Sequence, residues 1–565
     1  MRENQTQDPM PAFHEAPPEP QSFRSVFKWG DPAFFKHPSP GFLRVIRNGL
    51  GLTPDQFKGP ESIGDQTVPV QSNPVCRIAP EDVDAFTKMV GAENVSSAVY
   101  DRLFHSSGKA MEDIFRLRKG EIRDICDLII HPRNREDVVA VVAHCHERDI
   151  PIHVHGGGSS VTFGLSCPKG GVTLVMGTHM KRVISFNEKD QTITVEPGMT
   201  GPAFEHLLNN APELLGAEQA YTGGHFPQSF EHSSVGGWGI TLGSGQASSY
   251  YGDAADLVIG QEYVTPAGEF TTAPWPAAAD GPRINEIMKG NEGCFGVLTA
   301  VTVKIFAYTP ETAKPFSFMF PSFASAVEAC RQISQGRFGM PAILRVSDPE
   351  ETDVALQMYG LDKGILEKLL RFKGMESGRR CLVMGQAEGE KGFASHVAAQ
   401  VRKICRKNQG MYLTGYPMKK WYKGRFSDPY MRDSLNDYGV LIDTLETSVT
   451  WESLPRVYAQ VRKHIKARPD TICMTHASHF YAQGTNLYFI FILKMPDLEA
   501  FRSFQQGIID CIEKAGGSLS HHHGVGRMMA PWMEEHLGPV QMGILRAVKG
   551  YLDPKGILNP GGLDL

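Results

Sequence analysis

Three consecutive histidines, His521, His522 and His523, stand between glycines in the string GGSLSHHHGVG at 516–526. An imidazole titrates near neutral pH, so the run has the chemistry to move protons, hold an anion or ligate a metal. If the segment is extended, His521 and His523 face one way and His522 the other, and the glycines permit close approach to a ligand held by another domain. Three readings are open to the residues alone: a zinc site, hydrogen bonding across a domain interface, and acid–base or anion-binding work at a cofactor. The third is preferred and no metal is assigned. Three adjacent rings cannot all reach one ion with good geometry, and no Cys, His or acidic partner stands at ligand spacing.

Glycine provides the second chemical signal. PIHVHGGGSSVTFGLSCP places Gly156, Gly157, Gly158, Ser159 and Ser160 directly after a short strand. Adjacent glycines let backbone N–H groups turn toward a ligand, and serine hydroxyls add neutral donors, a set suited to a pyrophosphate. The spacing is neither the G-x-G-x-x-G of a Rossmann fold nor a P-loop, and alone a triple glycine is as readily an ordinary tight turn. Two more loops add weight. HSSVGGWGITLGSGQASSYYG (232–252) is too polar for a core and too glycine-rich for a regular helix; it holds Ser234, Gly236, Gly237, Ser244, Gly245 and Gly252. GNEGCFGVLTAVTVKI (290–305) is a turn with Glu292, Gly293 and Gly296 that runs straight into a strand.

The chain that must position these groups has 565 residues, a length suited to three or four folding units. A hydrophobic fraction of 41% and a charged fraction of 21% exclude wholesale disorder and a polytopic membrane protein. Lys and Arg number 57 against 62 acids, a net charge of −5 without a long single-sign run, so nucleic acid is not expected as a partner. Ten cysteines without a C-x-x-C pair read as buried thiols in a reducing compartment. The polar, proline-rich start has no apolar signal core, and the strongest apolar run, NLYFIFIL at 486–493, is strand-sized.

Residues 1–22 are expected to be a disordered tail, since little apolar surface offsets their ordering entropy. Residues 23–121 read as a helical region ending in AMEDIFRLRKGEI, with Met111, Ile114, Phe115 and Arg118 on one helical side. Aromatic and basic residues mingle from Phe23 to Leu52 and read either as an arm packed on the body or as a surface for anionic membrane. From 122 to 310 short β runs alternate with glycine-rich turns around a helix at DVVAVVAHCHERD. RVISF with TITVEPG and LVIGQEYVTPAGEFTT form hairpins, and VLTAVTVKIFAY closes the segment. From 311 to 515 helices (FASAVEACRQISQ, GFASHVAAQVRKICRK, LEAFRSFQQGIIDCIEKA) alternate with strands (AILRVSD, CLVMGQAEG, TICMTHASHF, NLYFIFIL), a second α+β domain. The last segment, 516–565, contains an amphipathic helix stopped at Asp553 and Pro554.

Three glycine-rich loops on one α/β unit resemble the flavoproteins of the vanillyl-alcohol-oxidase type, which bind FAD between two small subdomains. GGSLSHHHGVG, DRLFHSSGKAMEDIFRLRKGEI near 101, GHFPQSFEHSSVGGW (224–238), YMRDSLNDYGVLIDTLETSVTW (430–451) and Tyr488 within NLYFIF narrow the likeness to the alkyldihydroxyacetonephosphate synthase family, from about Phe23 to the last residues. Oxidase relatives acting on hydroxy acids usually have an acidic residue before the His-Gly of HGVG; here it is His522. The resemblance implies an α+β fold: an FAD-binding domain of two α/β subdomains, a cap or substrate domain with an antiparallel sheet, and a C-terminal segment returning to the flavin. It implies non-covalent FAD, with 156–160 around the pyrophosphate, 234–252 along the dinucleotide and 291–297 supporting the flavin from the far side.

The implied roles follow residue by residue. Tyr488 is the general acid/base, its pKa lowered by a cation such as Arg432 or a protonated histidine. His522 and His523 assist it, Arg432 and Arg345 bind phosphate or ester oxygens, and His225 and His521 lie at the substrate. The residues by themselves also allow Tyr488 to be plain sheet packing with Ile490 and Ile492, and Arg432 with Asp433 to be a surface ion pair. Departures from the family pattern are Gln228, usually aspartate, and GSGQASSYYG, which lacks the basic residues of animal members. The implied reaction exchanges the acyl chain of acyl-dihydroxyacetone phosphate for a long-chain alcohol without net redox. The competing reading is an FAD-linked dehydrogenase or oxidase of a 2-hydroxy acid or alcohol; a third is a flavin-bound lipid carrier without turnover. Lipid substrates require a tunnel and peripheral membrane contact. The ending GGLDL is not an S-K-L address, so the expected location is cytoplasmic, at the inner membrane surface; a homodimer is left open.

Overall fold

The computed structural model describes residues 11–57, 63–70 and 74–565. Its first body is made of two small sheets. In one, Leu128–Ile130, Val172–Val175 and Ile152–His155 lie side by side in parallel, with Val95–Ser96 antiparallel at the edge. LII and VTLV are buried at every position, as parallel strands covered on both faces must be. The helix Arg135–Arg148 carries the chain from the first of these strands to the next; Asn134 caps it by accepting the Asp137 N–H. The helix Pro80–Val90 drives Phe86 and Val90 into the same core as Val138, Val142 and Leu174. This unit therefore draws in residues 80–96, which sequence patterning assigns to the N-terminal region.

The second sheet is antiparallel, in the order Val183–Asn187, Thr192–Val195, Val297–Lys304, Val258–Thr265, Gly268–Thr271, and both expected hairpins are present. The stretch 232–252 differs from expectation, because Val235–Ile240 is helical despite three glycines. Ser234 Oγ accepts the Gly237 N–H, and a Cβ on Gly236 would stand 2.3 Å from Pro197 Cβ. A cap and a close contact outweigh the poor helix propensity of glycine.

The cap domain is a seven-stranded antiparallel sheet, in the order Met411–Tyr412, Lys314–Phe320, Cys381–Ala387, Ile343–Ser347, Ile472–Ala477, Gly484–Leu493, Leu441–Thr450. Side chains alternate across it. Phe316, Phe318, Val383, Leu344, Val346, Leu487, Phe489 and Phe491 meet four helices, Phe323–Ser334, Lys391–Lys407, Leu454–Ala467 and Leu498–Lys514. Their alternates, Arg345, Met384, Met474, His476, Tyr488, Ile490 and Ile492, line a cavity.

Residues 11–22 are not a disordered tail. Phe13 stacks on His37 at 4.9 Å, and Tyr438 donates to the Ala12 carbonyl at 3.0 Å. These aromatic anchors offset the ordering cost that composition suggests; residues 1–10 lie outside the described residues. The arm that follows packs on the body: Phe23, Phe27, Trp29 and Phe42 are buried. Arg24 and Arg118 both donate to Asp437, at 2.9 and 2.7 Å, and the Trp29 N–H donates to Asp433 at 3.2 Å. Met111–Arg118 is buried nearly all round rather than on one side. At the other end, after the helix Pro539–Leu552, the chain joins the first sheet. Ile152 donates to the Ile557 carbonyl and Asn559 to that of Ile152. Eight cysteines are buried thiols; Cys76 and Cys511 are half-buried. Among the described residues no helix is long and apolar enough to cross a membrane.

Candidate active site

A cavity of 1060 Å³ lies where the two bodies and the C-terminal segment meet. One wall is the turn after Ile152–His155. Gly156, Gly157, Gly158, Ser159 and Ser160 all line it, and from Gly156 to Val161 no backbone N–H has a partner among the described residues. Six free donors in one turn fit a diphosphate. The Ser160 hydroxyl, expected to face the ligand, instead accepts the Gly164 N–H at 3.0 Å and ties the turn together. Ser234, Gly237 and Ser244 continue the wall. Gly236, Gly245, Gly252, Gly293 and Gly296 do not line it. At Gly245 the reason is packing, since a Cβ there would lie 2.4 Å from the Phe226 nitrogen. Glu292 does line the cavity, but its carboxylate accepts the Val525 and Gly526 N–H groups at 2.7 and 2.8 Å and so fastens the C-terminal segment to this body. Burial pushes its pKa up to about 7 against the pull of those two N–H groups.

The histidine segment is not extended. It folds around one carboxylate, Glu446, which has no exposed surface. The backbone N–H groups of His521, His522 and His523 donate to it at 2.7, 3.1 and 3.0 Å, and Ser520 Oγ at 2.6 Å. Burial alone would raise this carboxyl. Positive charge on the neighbouring imidazoles, that of His522 first, and the Ser520 hydroxyl outweigh it as the pH falls and hold the group well below the usual carboxylate range. Glu446 is also the cross-strand neighbour of Tyr488, so the sheet register sets the loop against that phenol.

Tyr488 lies between His476, stacked at 4.9 Å, and His523, edge-on at 5.4 Å, with His522 at 5.9 Å. Its hydroxyl donates to Thr444 Oγ1 at 3.1 Å. The lowered pKa expected of it is not found: burial pushes the phenol up to about 12. Burial also keeps His522 well below its ordinary value and lowers His523, against the opposing pull of Glu446. At neutral pH this arrangement is a protonated phenol beside unprotonated imidazoles.

Arg432, from the helix Tyr430–Asn436, is buried rather than paired at the surface. Nη1 donates to the Lys109 carbonyl at 2.9 Å, the guanidinium sits 5.4 Å from the Trp29 ring, and Nε and Nη2 have no partner among the described residues. A buried guanidinium with two free donors calls for an oxyanion. Arg345 lines the cavity too; its Nη2 serves Glu351 at 2.6 Å and His476 Nδ1 at 2.9 Å, which leaves Nε and Nη1 without a partner among the described residues. His225 and His521 do not line the cavity: His225 packs on Trp238 at 4.6 Å, and His521 Nε2 pairs with the Tyr481 hydroxyl at 2.7 Å. Gln228 lines it, donating to the Arg425 carbonyl at 2.6 Å. Sequence reasoning missed Glu446, His476, His479, Glu351 and Asp443. The last borders the cavity but lies on the helix-packed face of its strand, opposite Phe491, with Gln505 on its carboxylate at 2.9 Å, and burial pushes it up to about 6. Asp443 and Glu446 lie within the quoted segment 430–451, where only Arg432 draws a role; His476, His479 and Glu351 have no neighbouring motif to mark them.

Beyond the polar cluster the same sheet face becomes apolar. Ile490, Met474, Ile492 and Ile442 continue the wall toward Phe42, Val354 and Met431.

Residues 126–273 match the model of an FAD binding domain, and residues 309–563 that of the C-terminal domain of FAD linked oxidases. An alkyldihydroxyacetonephosphate synthase of Dictyostelium discoideum is 30% identical over 93% of this chain and 87% of its own. One of Caenorhabditis elegans is 28% identical over 93% and 89%. A solved alkyldihydroxyacetonephosphate synthase superposes with a TM-score of 0.78 at 27% identity, covering 95% of this chain and 98% of that one. The vanillyl-alcohol-oxidase type of FAD fold with its α+β cap is thus the fold of this chain, and FAD is its cofactor. With its glycine turn, phenol, histidines and free guanidinium all converging on one cavity, the chain belongs to the alkyldihydroxyacetonephosphate synthase family.

Proposed function

We propose that the protein exchanges the acyl chain of an acyl-dihydroxyacetone phosphate for a long-chain alcohol, forming an ether bond with no net redox change. The observation that carries this reading is the two-ended cavity. Arg432, Tyr488 and the histidines gather at one end, an aliphatic wall runs from the other, and the free N–H groups of 156–161 lie along the side. FAD, when bound, supplies a reversible covalent handle for the substrate carbon. The chain's own groups do the rest. Arg432 grips the phosphate or carbonyl oxygen through its free Nε and Nη2. The unprotonated His522 and His523 are ready to take the C1 proton, which the adjacent ketone acidifies. Tyr488, protonated at neutral pH, first donates to a substrate oxygen. Arg345 holds His476 and Glu351 in register behind the phenol.

Arg432→Lys is expected to lower turnover by about 10²-fold, because a point charge cannot replace a planar fork on an oxyanion. The function itself is tested by anaerobic incubation with acyl-dihydroxyacetone phosphate and a fatty alcohol, following the flavin spectrum and the released fatty acid. Fatty acid release matched by alcohol uptake supports the reading. Sustained reduction of an artificial acceptor by a 2-hydroxy acid, with no fatty acid released, overturns it in favour of a dehydrogenase. Flavin that stays with the denatured polypeptide would overturn non-covalent attachment.

Peripheral contact with the cytoplasmic membrane surface belongs to the same proposal. The helix Ile365–Phe372 leaves Ile365 88% and Phe372 83% exposed, with Leu369 and Tyr416 also exposed, and Leu370 and Tyr416 line the cavity. Lys363, Lys368, Arg371 and Lys373 flank this stripe. Apolar side chains worth about 2 kcal/mol each on burial, among cations worth about 1 kcal/mol each near anionic lipid, favour a bilayer surface. Ile365→Glu combined with Phe372→Glu is expected to lower co-sedimentation with anionic vesicles at least about tenfold while FAD content stays unchanged.

A further inference from the structure

We propose that His479, His521 and His522 form a binding site for one divalent transition ion of the zinc class, and that its occupation locks the histidine segment. The residues alone argue against a metal because a run of three histidines has no partner at ligand spacing. The fold supplies one. His479 follows the strand Ile472–Ala477, and its position is fixed by Asn486 Oδ1, which accepts the N–H groups of Ser478 and His479 at 2.8 and 3.2 Å. One ring nitrogen from each of His479, His521 and His522 lies within 4.8 Å of the other two.

The outer partners set which nitrogens are free. His479 Nδ1 is 3.1 Å from Ser478 Oγ, leaving its Nε2 buried and unpartnered. His521 Nε2 is 2.7 Å from the Tyr481 hydroxyl, which itself donates to Asp253, leaving His521 Nδ1 3.0 Å from His522 Nδ1. An imidazole that spends one nitrogen on a hydroxyl or carboxylate relay and offers the other inward has the arrangement of a metal ligand. Three nitrogen donors suit Zn²⁺, Co²⁺ or Ni²⁺ and not Mg²⁺ or Ca²⁺. His479 and His522 line the cavity, so a fourth position opens onto it for water or a substrate oxygen. His479 and His522 stand stacked at 5.0 Å with 16° between their planes, so one ring must turn about its Cβ–Cγ bond. That torsion is broad and two-fold. His522 also stacks near Tyr488, so an ion there removes a proton acceptor from the cavity. This inhibitory consequence rests on the proposed function; the site does not.

The test uses the FAD-loaded full chain after chelator treatment. Equilibrium dialysis is expected to find one Zn²⁺ per chain. Co²⁺ is expected to give the intense visible bands of four-coordinate nitrogen ligation, to the red of the flavin. His479→Phe, which keeps a ring in the stack, and His521→Gln should each lower affinity at least about tenfold with flavin content unchanged. No binding, a six-coordinate Co²⁺ spectrum, or affinity unaltered by both substitutions would overturn the site. The Co²⁺ spectrum of the unsubstituted chain decides the matter if a variant fails to retain flavin. All these readouts work without turnover, so a chain lacking synthase activity still answers them. Where turnover is present, reversible inhibition by Zn²⁺ is expected, and saturation without inhibition would remove the locking half of the proposal.

Discussion

Tyr488→Phe is expected to lower acyl-for-alcohol exchange by about 10²–10⁴-fold, the usual weight of one acid–base group, while FAD stays bound. The ring keeps its stack on His476 and its place on the strand, and only the hydroxyl bonded to Thr444 is lost. Loss of that bond costs stability on the order of 1 kcal/mol, too little to unfold the domain. The phenol's raised pKa gives the experiment a second readout. A group titrating at about 12 stays protonated over the working range, so the pH–rate profile of the unsubstituted chain should follow the histidines and not the tyrosine. Steady-state rates with the flavin content of each preparation check both. Full activity in the Phe variant would remove Tyr488 from proton transfer.

Glu446→Gln should be the second severe change, and it acts through position, since Glu446 bonds the histidine segment and does not line the cavity. An amide keeps one acceptor but turns an N–H₂ toward donors already aimed at it. Breaking a buried, charge-assisted cluster of this kind costs about 3 kcal/mol. The sign of the pH effect follows from the carboxyl being held below its ordinary value. Its stabilisation is complete above the unfolded pKa near 4.5 and drains away as the pH falls below that. Urea midpoints measured from neutral to acid pH should therefore fall less steeply in the Gln variant, and kcat should drop more than KM rises. Equal acid slopes would mean that the carboxylate does not hold the segment.

Much of this was legible in the chain itself. The hairpins at 183–195 and 258–271 announce themselves because strict alternation meets turn residues, and the glycine turn at 156–160 because few other sequences free so many N–H groups. Lys314–Phe320 is obscured by Pro315, a residue that argues against a strand inside a sheet. In Leu441–Thr450 the alternation is blurred by acids on both faces: Asp443 bonded to Gln505 on the helix Leu498–Lys514, and Glu446 holding the histidine segment. Glu446 draws no role from its own neighbourhood because every hydrogen-bond partner it has lies more than seventy residues later in the chain. Tyr488's altered ionisation escaped for the related reason that burial is a property of the assembled sheet and not of its strand. At Gly236 and Gly245, expected at the ligand, close packing against Pro197 and Phe226 by itself excludes a Cβ, a constraint that no local pattern announces.

The bridge from Ile557 and Asn559 to Ile152 carries a consequence for biosynthesis. Lys549, buried beside it, donates to the Cys294 carbonyl and to Asp553, so the edge of the first sheet is finished by residues translated long after it. Until they leave the ribosome, the nascent glycine turn sits next to an unpaired strand edge. Ribosome-held chains stalled short of residue 557 should therefore emerge colourless, however well their earlier hairpins have formed.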